Sequence, residues 1–326
     1  MDKVIWGIIG CGDVAEIKSG PAFQKLPHSE LRAVMRRNLE KAEDFAHRHG
    51  VPEFYGDVNK IIQNPQINAV YIATPPSSHL NYAEKSLATG KCVYLEKPMV
   101  LNLKEANELQ LLVEKYKGKL TVAHYRRQLP AFLKVKELLA DREIGDPRIV
   151  SISIRQPENP ALVAQSETNW RIDPGLSGGG YFYDLAPHQL DLMYTYFGKP
   201  IYTSGIGINQ SGKYKANDLV QGTILFSNKV VFHGIWSFAV HPQDKLDQCT
   251  ILGSQGKIEF SFFGDQVRMR KGNNHYVFDF QNPLHIQEPM IRKTIQYFLQ
   301  KGENPCSVED AKVSLEMMQA FTSTSI

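Results

Sequence analysis

Cysteine is scarce in this chain. Its four cysteines, Cys11, Cys92, Cys249 and Cys306, lie far apart, with no C-x-x-C pair and no metal-ligand spacing. Reduced, mostly buried thiols in a cytoplasmic protein are the expectation, with no metal site. Charge of one sign is also lacking: the formal net charge is only +3 and no long basic run occurs. That balance argues against nucleic acid or an anionic membrane as partner. The amino terminus offers only the short apolar run Val4 to Ile9, too short for a membrane span and without a signal-peptide cleavage region. Internal repeats and low-complexity segments are absent. What remains is ordinary globular composition, 42% hydrophobic and 22% charged, over 326 residues. Two domains with substantial cores fit that length.

The first third alternates strand and helix. Val4–Ile9 forms a buried-strand pattern and runs directly into Gly10-Cys11-Gly12-Asp13-Val14-Ala15, a G-x-G-x-x-A dinucleotide fingerprint. Gly10 permits the tight turn, Gly12 lets backbone approach a pyrophosphate, and Ala15 allows close helix packing. Asp13 and Val14 open the helix whose N–H groups face the phosphates. Further strands at Leu31–Met35, around Phe54, at Ala69–Ala73, Cys92–Leu95 and Leu120–His124 alternate with helical segments. The expected fold is a doubly wound parallel α/β sheet over residues 1–124.

Another absence falls at the end of the second strand. An NAD enzyme places Asp or Glu there for the ribose 2′-hydroxyl. This chain has Arg36-Arg37-Asn38, with Lys41 one turn later. Guanidinium groups in place of an acid suit a 2′-phosphate, hence NADP, with NAD the alternative. The plain alternative has both arginines solvated. Two more strands end in rigid turns at the same carboxyl edge, where open α/β sheets bind ligands. One is Thr74-Pro75-Pro76-Ser77-Ser78-His79, where Thr74, Pro75 and His79 would flank the nicotinamide half. The other is Glu96-Lys97-Pro98. Taken alone, Lys97 is a surface lysine before a turn, and His79 a helix-start residue contacting backbone.

From Ile201 to Phe280 the pattern is strand after strand with Gly, Asn and Asp turns, an α+β region over residues 125–326 with a mostly antiparallel sheet. It is preceded by Asn169-Trp170-Arg171-Ile172-Asp173-Pro174 and by Gly178-Gly179-Gly180-Tyr181-Phe182-Tyr183-Asp184-Leu185-Ala186-Pro187-His188. A helix over Asp184–Phe197 puts Asp184 and His188 on one face at i, i+4, with Asp191 near it. A carboxylate beside a histidine is a tunable acid/base. The alternative is a capping Asp and a core His. Pro187 fits such a helix only in its first turn.

The order Gly10-Cys11-Gly12, Thr74-Pro75-Pro76, Glu96-Lys97-Pro98 and Asp184-x-x-x-His188 resembles the glucose–fructose oxidoreductase / inositol dehydrogenase / rhizopine-catabolism (Gfo/Idh/MocA) family along the whole length. The resemblance implies an amino-terminal Rossmann domain, and a carboxyl-terminal domain built on an open, mainly antiparallel sheet that joins copies into a homodimer or homotetramer. It implies hydride exchange between a nicotinamide cofactor, with Glu96 and Lys97 beside it, and a sugar, polyol or related small molecule. It assigns Lys97 to hydrogen-bond the reacting oxygen, His188 to exchange its proton, and Asp184 to orient substrate or histidine. Trp170 and Arg171 resemble a substrate-loop motif of sugar reductases. Arg36 departs from the Asp of many NAD-using members. Two rivals remain at this stage: an NAD-dependent glycosidase of the same fold, and a non-enzymatic nucleotide sensor.

Overall fold

A computed structural model describes residues 1–12, 14–163 and 169–323. Asp13 and the later part of the loop from Pro157 to Thr168 therefore lie outside the described residues. Two compact units are formed. The first comprises Met1–Tyr125 and Pro283–Lys312, together with Asn169 and Trp170. The second comprises Arg126–Val163, Arg171–Asn282 and the chain beyond Val313.

The first unit holds six strands: β1 (Val4–Ile9), β2 (Ser29–Met35), β3 (Glu53–Tyr55), β4 (Ala69–Ile72), β5 (Cys92–Leu95) and β6 (Leu120–Val122). Their order is β3-β2-β1-β4-β5-β6, every pair parallel. This is the doubly wound order whose direction reverses between β1 and β4. β4 is buried along its whole length, as a strand covered on both faces must be. Helix Leu39–His49 shows the local logic of the crossovers. Asn38 caps it by accepting from the Lys41 N–H, and Gly50 ends it in the left-handed region at φ 63°.

The compact units do not follow a single cut between residues 124 and 125, because Pro283–Lys312 groups with the first unit. Helix Glu288–Phe298 buries Met290, Ile291, Ile295 and Phe298, and the Phe298 ring lies 5.6 Å from that of Trp6. A hydrophobic face of this kind is fixed by its partners, which local pattern cannot name.

The second unit contains β7 (Pro147–Arg155), β8 (Pro200–Ile208), β9 (Leu219–Phe226), β10 (Val231–Ser237), β11 (Leu246–Gly253), β12 (Gly256–Phe260), β13 (Gln266–Lys271) and β14 (Asn274–Asp279). They order as β14-β13-β12-β11-β7-β10-β9-β8, antiparallel except for β7 with β10. One face is core: Val150, Ile152, Ile154, Phe232, Trp236, Cys249 and Ile251 are all buried. Gly222 admits the Phe321 ring, which would collide with any Cβ there.

Against this sheet unit's own core lies helix Gly180–Phe197, which starts four residues before the expected Asp184. Ser177 sets the earlier start, its hydroxyl accepting from the N–H groups of Gly179 and Gly180 at 3.3 and 3.0 Å. Pro187 consequently sits inside the helix rather than in its first turn. Its missing N–H costs one intrahelical bond, and burial of the side chains around it offsets that loss. Among the described residues no helix is long and apolar enough to cross a membrane.

Candidate active site

In the first unit the site begins at the Gly-rich turn. Gly10 has φ 97°, and a Cβ there would stand 2.8 Å from Thr74 Cγ2 and 3.0 Å from the Ala73 carbonyl. Only glycine lets the turns after β1 and β4 approach so closely. The Gly10 and Cys11 N–H groups both donate to the Met35 carbonyl, at 2.9 and 3.2 Å. Gly12 differs: a Cβ on it would meet nothing within 4 Å. Its open side is what close approach of a pyrophosphate requires.

Beside Gly12 lies a cavity of about 430 Å³ lined by Cys11, Gly12, Glu16, Arg36, Lys41, Asp44, Phe45 and Arg48. Arg36 and Lys41 line it, whereas Arg37 is exposed and does not. Two carboxylates, Glu16 and Asp44, are both engaged by Arg48, at 2.5 and 2.8 Å. Hydrogen bonds from Arg48 hold the Glu16 carboxyl below its usual range. Among the described residues no carboxylate pairs with the Arg36 guanidinium. The pattern of the sequence did not disclose Glu16, Asp44 or Arg48. The visible trace was the Asp44, Arg48 spacing of four on one helix. Burial raises the Cys11 thiol to about 11, so this cysteine stays protonated at neutral pH.

His79 is turned into the protein and contacts backbone, the second of the two readings its position allows. It is fully buried. Its Nε2 lies 2.7 Å from the Thr74 carbonyl, and its Nδ1 lies 3.1 and 3.2 Å from those of Pro98 and Met99. The ring therefore ties the turn after β4 to the turn after β5, and desolvation lowers its pKa. Ser78 completes the turn by donating to Thr74 Oγ1 at 2.7 Å.

Glu96 is also turned inward and buried. Its Oε1 accepts from the Tyr71 hydroxyl and from Gln287 Nε2, both at 2.6 Å, and its Oε2 accepts from the Lys97 N–H at 3.1 Å. Lys97 itself is half-buried at the carboxyl edge of β5, followed by a cis peptide to Pro98.

In the second unit, helix Gly180–Phe197 carries Asp184, His188 and Asp191. Arg171, itself buried, donates from Nε to Asp184 Oδ2 at 3.2 Å. The expected acid is thus held by Arg171. His188 is 3% exposed, one helical turn beyond Asp184. Asp191 is engaged by a two-pronged contact from Arg127, Nε to Oδ2 at 2.8 Å and Nη2 to Oδ1 at 2.7 Å. Trp170 belongs to the first unit and Arg171 to the second, so the adjacent pair divides between the two.

A doubly wound parallel sheet whose glycine turn is open on the side a pyrophosphate would approach defines a dinucleotide-binding fold. Residues 4–124 match the oxidoreductase family with NAD-binding Rossmann fold, and residues 132–259 match the GFO/IDH/MocA C-terminal domain. The chain belongs to this family. It is 50% identical to an oxidoreductase of Formosa agariphila over 99% of both chains. It is 31% identical to trans-1,2-dihydrobenzene-1,2-diol dehydrogenase of Oryctolagus cuniculus, over 72% of this chain and 68% of the relative. Its fold resembles that of an oxidoreductase from Thermotoga maritima, with TM-score 0.85 and 26% identity over 98% of this chain and 95% of that one. A levoglucosan dehydrogenase solved with NADH and levoglucosan has the same fold, with TM-score 0.85 and 20% identity over 98% and 96%.

Proposed function

We propose that the chain catalyses reversible hydride exchange between NADP(H) and a hydroxyl-bearing or carbonyl carbon of a polyhydroxylated ring, a sugar or a cyclic diol. The observation that carries the reading is Lys97, held by Glu96 through its own N–H at the carboxyl edge of β5. The diol-dehydrogenase relative supports the substrate class. The nicotinamide, when bound, supplies or accepts the hydride. Gly10 makes the tight turn, Gly12 leaves space for the pyrophosphate, and Arg36 and Lys41 offer cations to a 2′-phosphate. Lys97 steadies negative charge on the reacting oxygen. His188 takes up or returns the oxygen's proton, with Asp184 orienting substrate or histidine.

Fluorescence titration of the cofactor-stripped protein tests the nucleotide choice. NADPH is expected to bind about 10–100-fold tighter than NADH, the worth of one or two charge-assisted hydrogen bonds. Arg36→Ala should erase most of that preference. Tighter binding of NADH would remove the 2′-phosphate reading and leave the oxidoreductase standing.

The same proposal includes a homodimer or homotetramer formed through the outer face of the eight-stranded sheet. Leu252, Ile149, Val231, Leu225 and Tyr202 are cross-strand neighbours in one row over β11, β7, β10, β9 and β8. Ile149, Val231, Leu252 and Tyr202 are each at least 38% exposed. An apolar row of that length on a sheet face favours a like face. Light scattering after gel filtration should give a multiple of the chain mass, reduced to the single chain by Ile149→Glu with Val231→Glu. A single-chain mass for the unaltered protein would sink this part.

A further inference from the structure

Beneath Lys97 runs a polar network that the cofactor and substrate roles do not use. Tyr94 donates to Gln287 Oε1 at 2.9 Å, and Gln287 Nε2 donates to Glu96 Oε1 at 2.6 Å. Tyr71 donates to the same oxygen at 2.6 Å, and Ser19 donates to Tyr71 at 3.2 Å. Ser19, Tyr71, Tyr94 and Gln287 are all fully buried, and Glu96 is 6% exposed. Gln287 enters from 191 residues away in sequence, at the start of helix Glu288–Phe298.

We propose that Gln287 is a positioning residue for Lys97, acting through the Glu96 carboxylate. The proposal rests on the reading of Lys97 given above. Its logic is one of donors and acceptors. Tyr94 occupies the amide oxygen of Gln287, which fixes the amide with its NH₂ toward Glu96. Two donors then hold Oε1, so Oε2 is left facing the Lys97 N–H. The helix that follows locks Gln287 in turn, since Ile291 N–H donates to its carbonyl at 2.9 Å. A buried carboxylate tied from three sides cannot rotate without leaving a donor unmatched. The peptide that launches the Lys97 side chain is therefore set by a residue in the last eighth of the chain.

The groups facing this pair are few. Burial and the Glu96 charge push the Tyr71 and Tyr94 hydroxyls well above their ordinary range, so both stay protonated donors. His79, influenced by the Glu96 charge, is lowered by desolvation. Cys306 and Tyr125 also face Tyr94.

The test reads Lys97 directly and needs no substrate. Lysines of the whole protein are dimethylated with ¹³C-formaldehyde, and the Lys97 resonance is assigned by its loss in Lys97→Arg. Gln287→Leu is expected to move that resonance and its titration. Gln287→Glu makes a sharper prediction. At low pH the added carboxyl keeps a proton and donates to Glu96 as the amide did, because two carboxylates in contact raise the pKa at which the second one ionises. As pH rises that proton is lost, the two charges repel, and the Lys97 resonance should depart from its wild-type position. Wild type should show no such second inflection. If Gln287→Leu does not fold, Gln287→Glu at low pH still carries the test. An unchanged Lys97 resonance and titration in the variants overturns the proposal. A responding resonance together with full turnover in Lys97→Ala keeps the positioning and removes the catalytic role. Where turnover depends on Lys97, kcat should fall with NADPH affinity unchanged, toward the roughly 10²-fold that a 1 Å misplacement can cost.

Discussion

Lys97→Ala should lower turnover about 10²–10³-fold while NADPH affinity and thermal stability stay close to those of the unaltered protein. The size follows from what the ammonium group does. A fixed cation beside an oxygen that gains negative charge acts mainly in the transition state, and losing one such donor costs that range in kcat. Affinity is spared because the proposed nucleotide contacts lie elsewhere, at Gly12, Arg36 and Lys41 along the cavity beside β1 and β2. Stability is spared because the Lys97 side chain is only half-buried, and the bond that organises the turn is made by its main-chain N–H. The measurement is the rate of NADPH oxidation or NADP⁺ reduction over a panel containing levoglucosan, D-glucose and trans-1,2-dihydrobenzene-1,2-diol. Wild-type rates in the variant would take Lys97 out of the mechanism. A loss confined to KM would instead make it a binding residue with equal hold on ground and transition states.

Much of the fold was legible because its signals are local. Strand runs and the glycine at the end of helix Leu39–His49 each depend on neighbours in sequence, and the structure follows them. Less visible was anything decided across the chain. Helix Glu288–Phe298 is an example: nothing in its sequence tells that Gln287 meets Glu96. For His79 the sequence left two places open, beside the nicotinamide half or at a helix start contacting backbone. Its burial against three backbone carbonyls is a consequence of the turn after β5, which no spacing reveals. The start of helix Gly180–Phe197 was misjudged for a different reason. Pro187 signalled a first turn, while the stronger determinant was the Ser177 hydroxyl and two flexible glycines upstream.

Arg127→Leu should destabilise the protein by about 3–5 kcal/mol, the usual cost of stripping one partner from a buried ion pair. Asp191 is 1% exposed and the Arg127 side chain 10% exposed, so water cannot replace the lost guanidinium. The fork geometry, two bonds of 2.8 and 2.7 Å, adds orientation to charge. Urea unfolding should show the loss as a lower midpoint with little change in slope. The double variant Arg127→Leu with Asp191→Leu should recover much of the deficit, because no charge is then left buried. Equal stability of the single variant and the unaltered protein would mean that solvent reaches Asp191 and that the pair is not buried in solution. Asp191 also stands three residues beyond His188, the proposed proton carrier, on the same helix. If Arg127 holds the helix in place, the single variant should lose kcat at temperatures well below its own melting, and the double variant should regain stability before it regains rate. Recovery of both together would reduce the pair to a matter of folding alone.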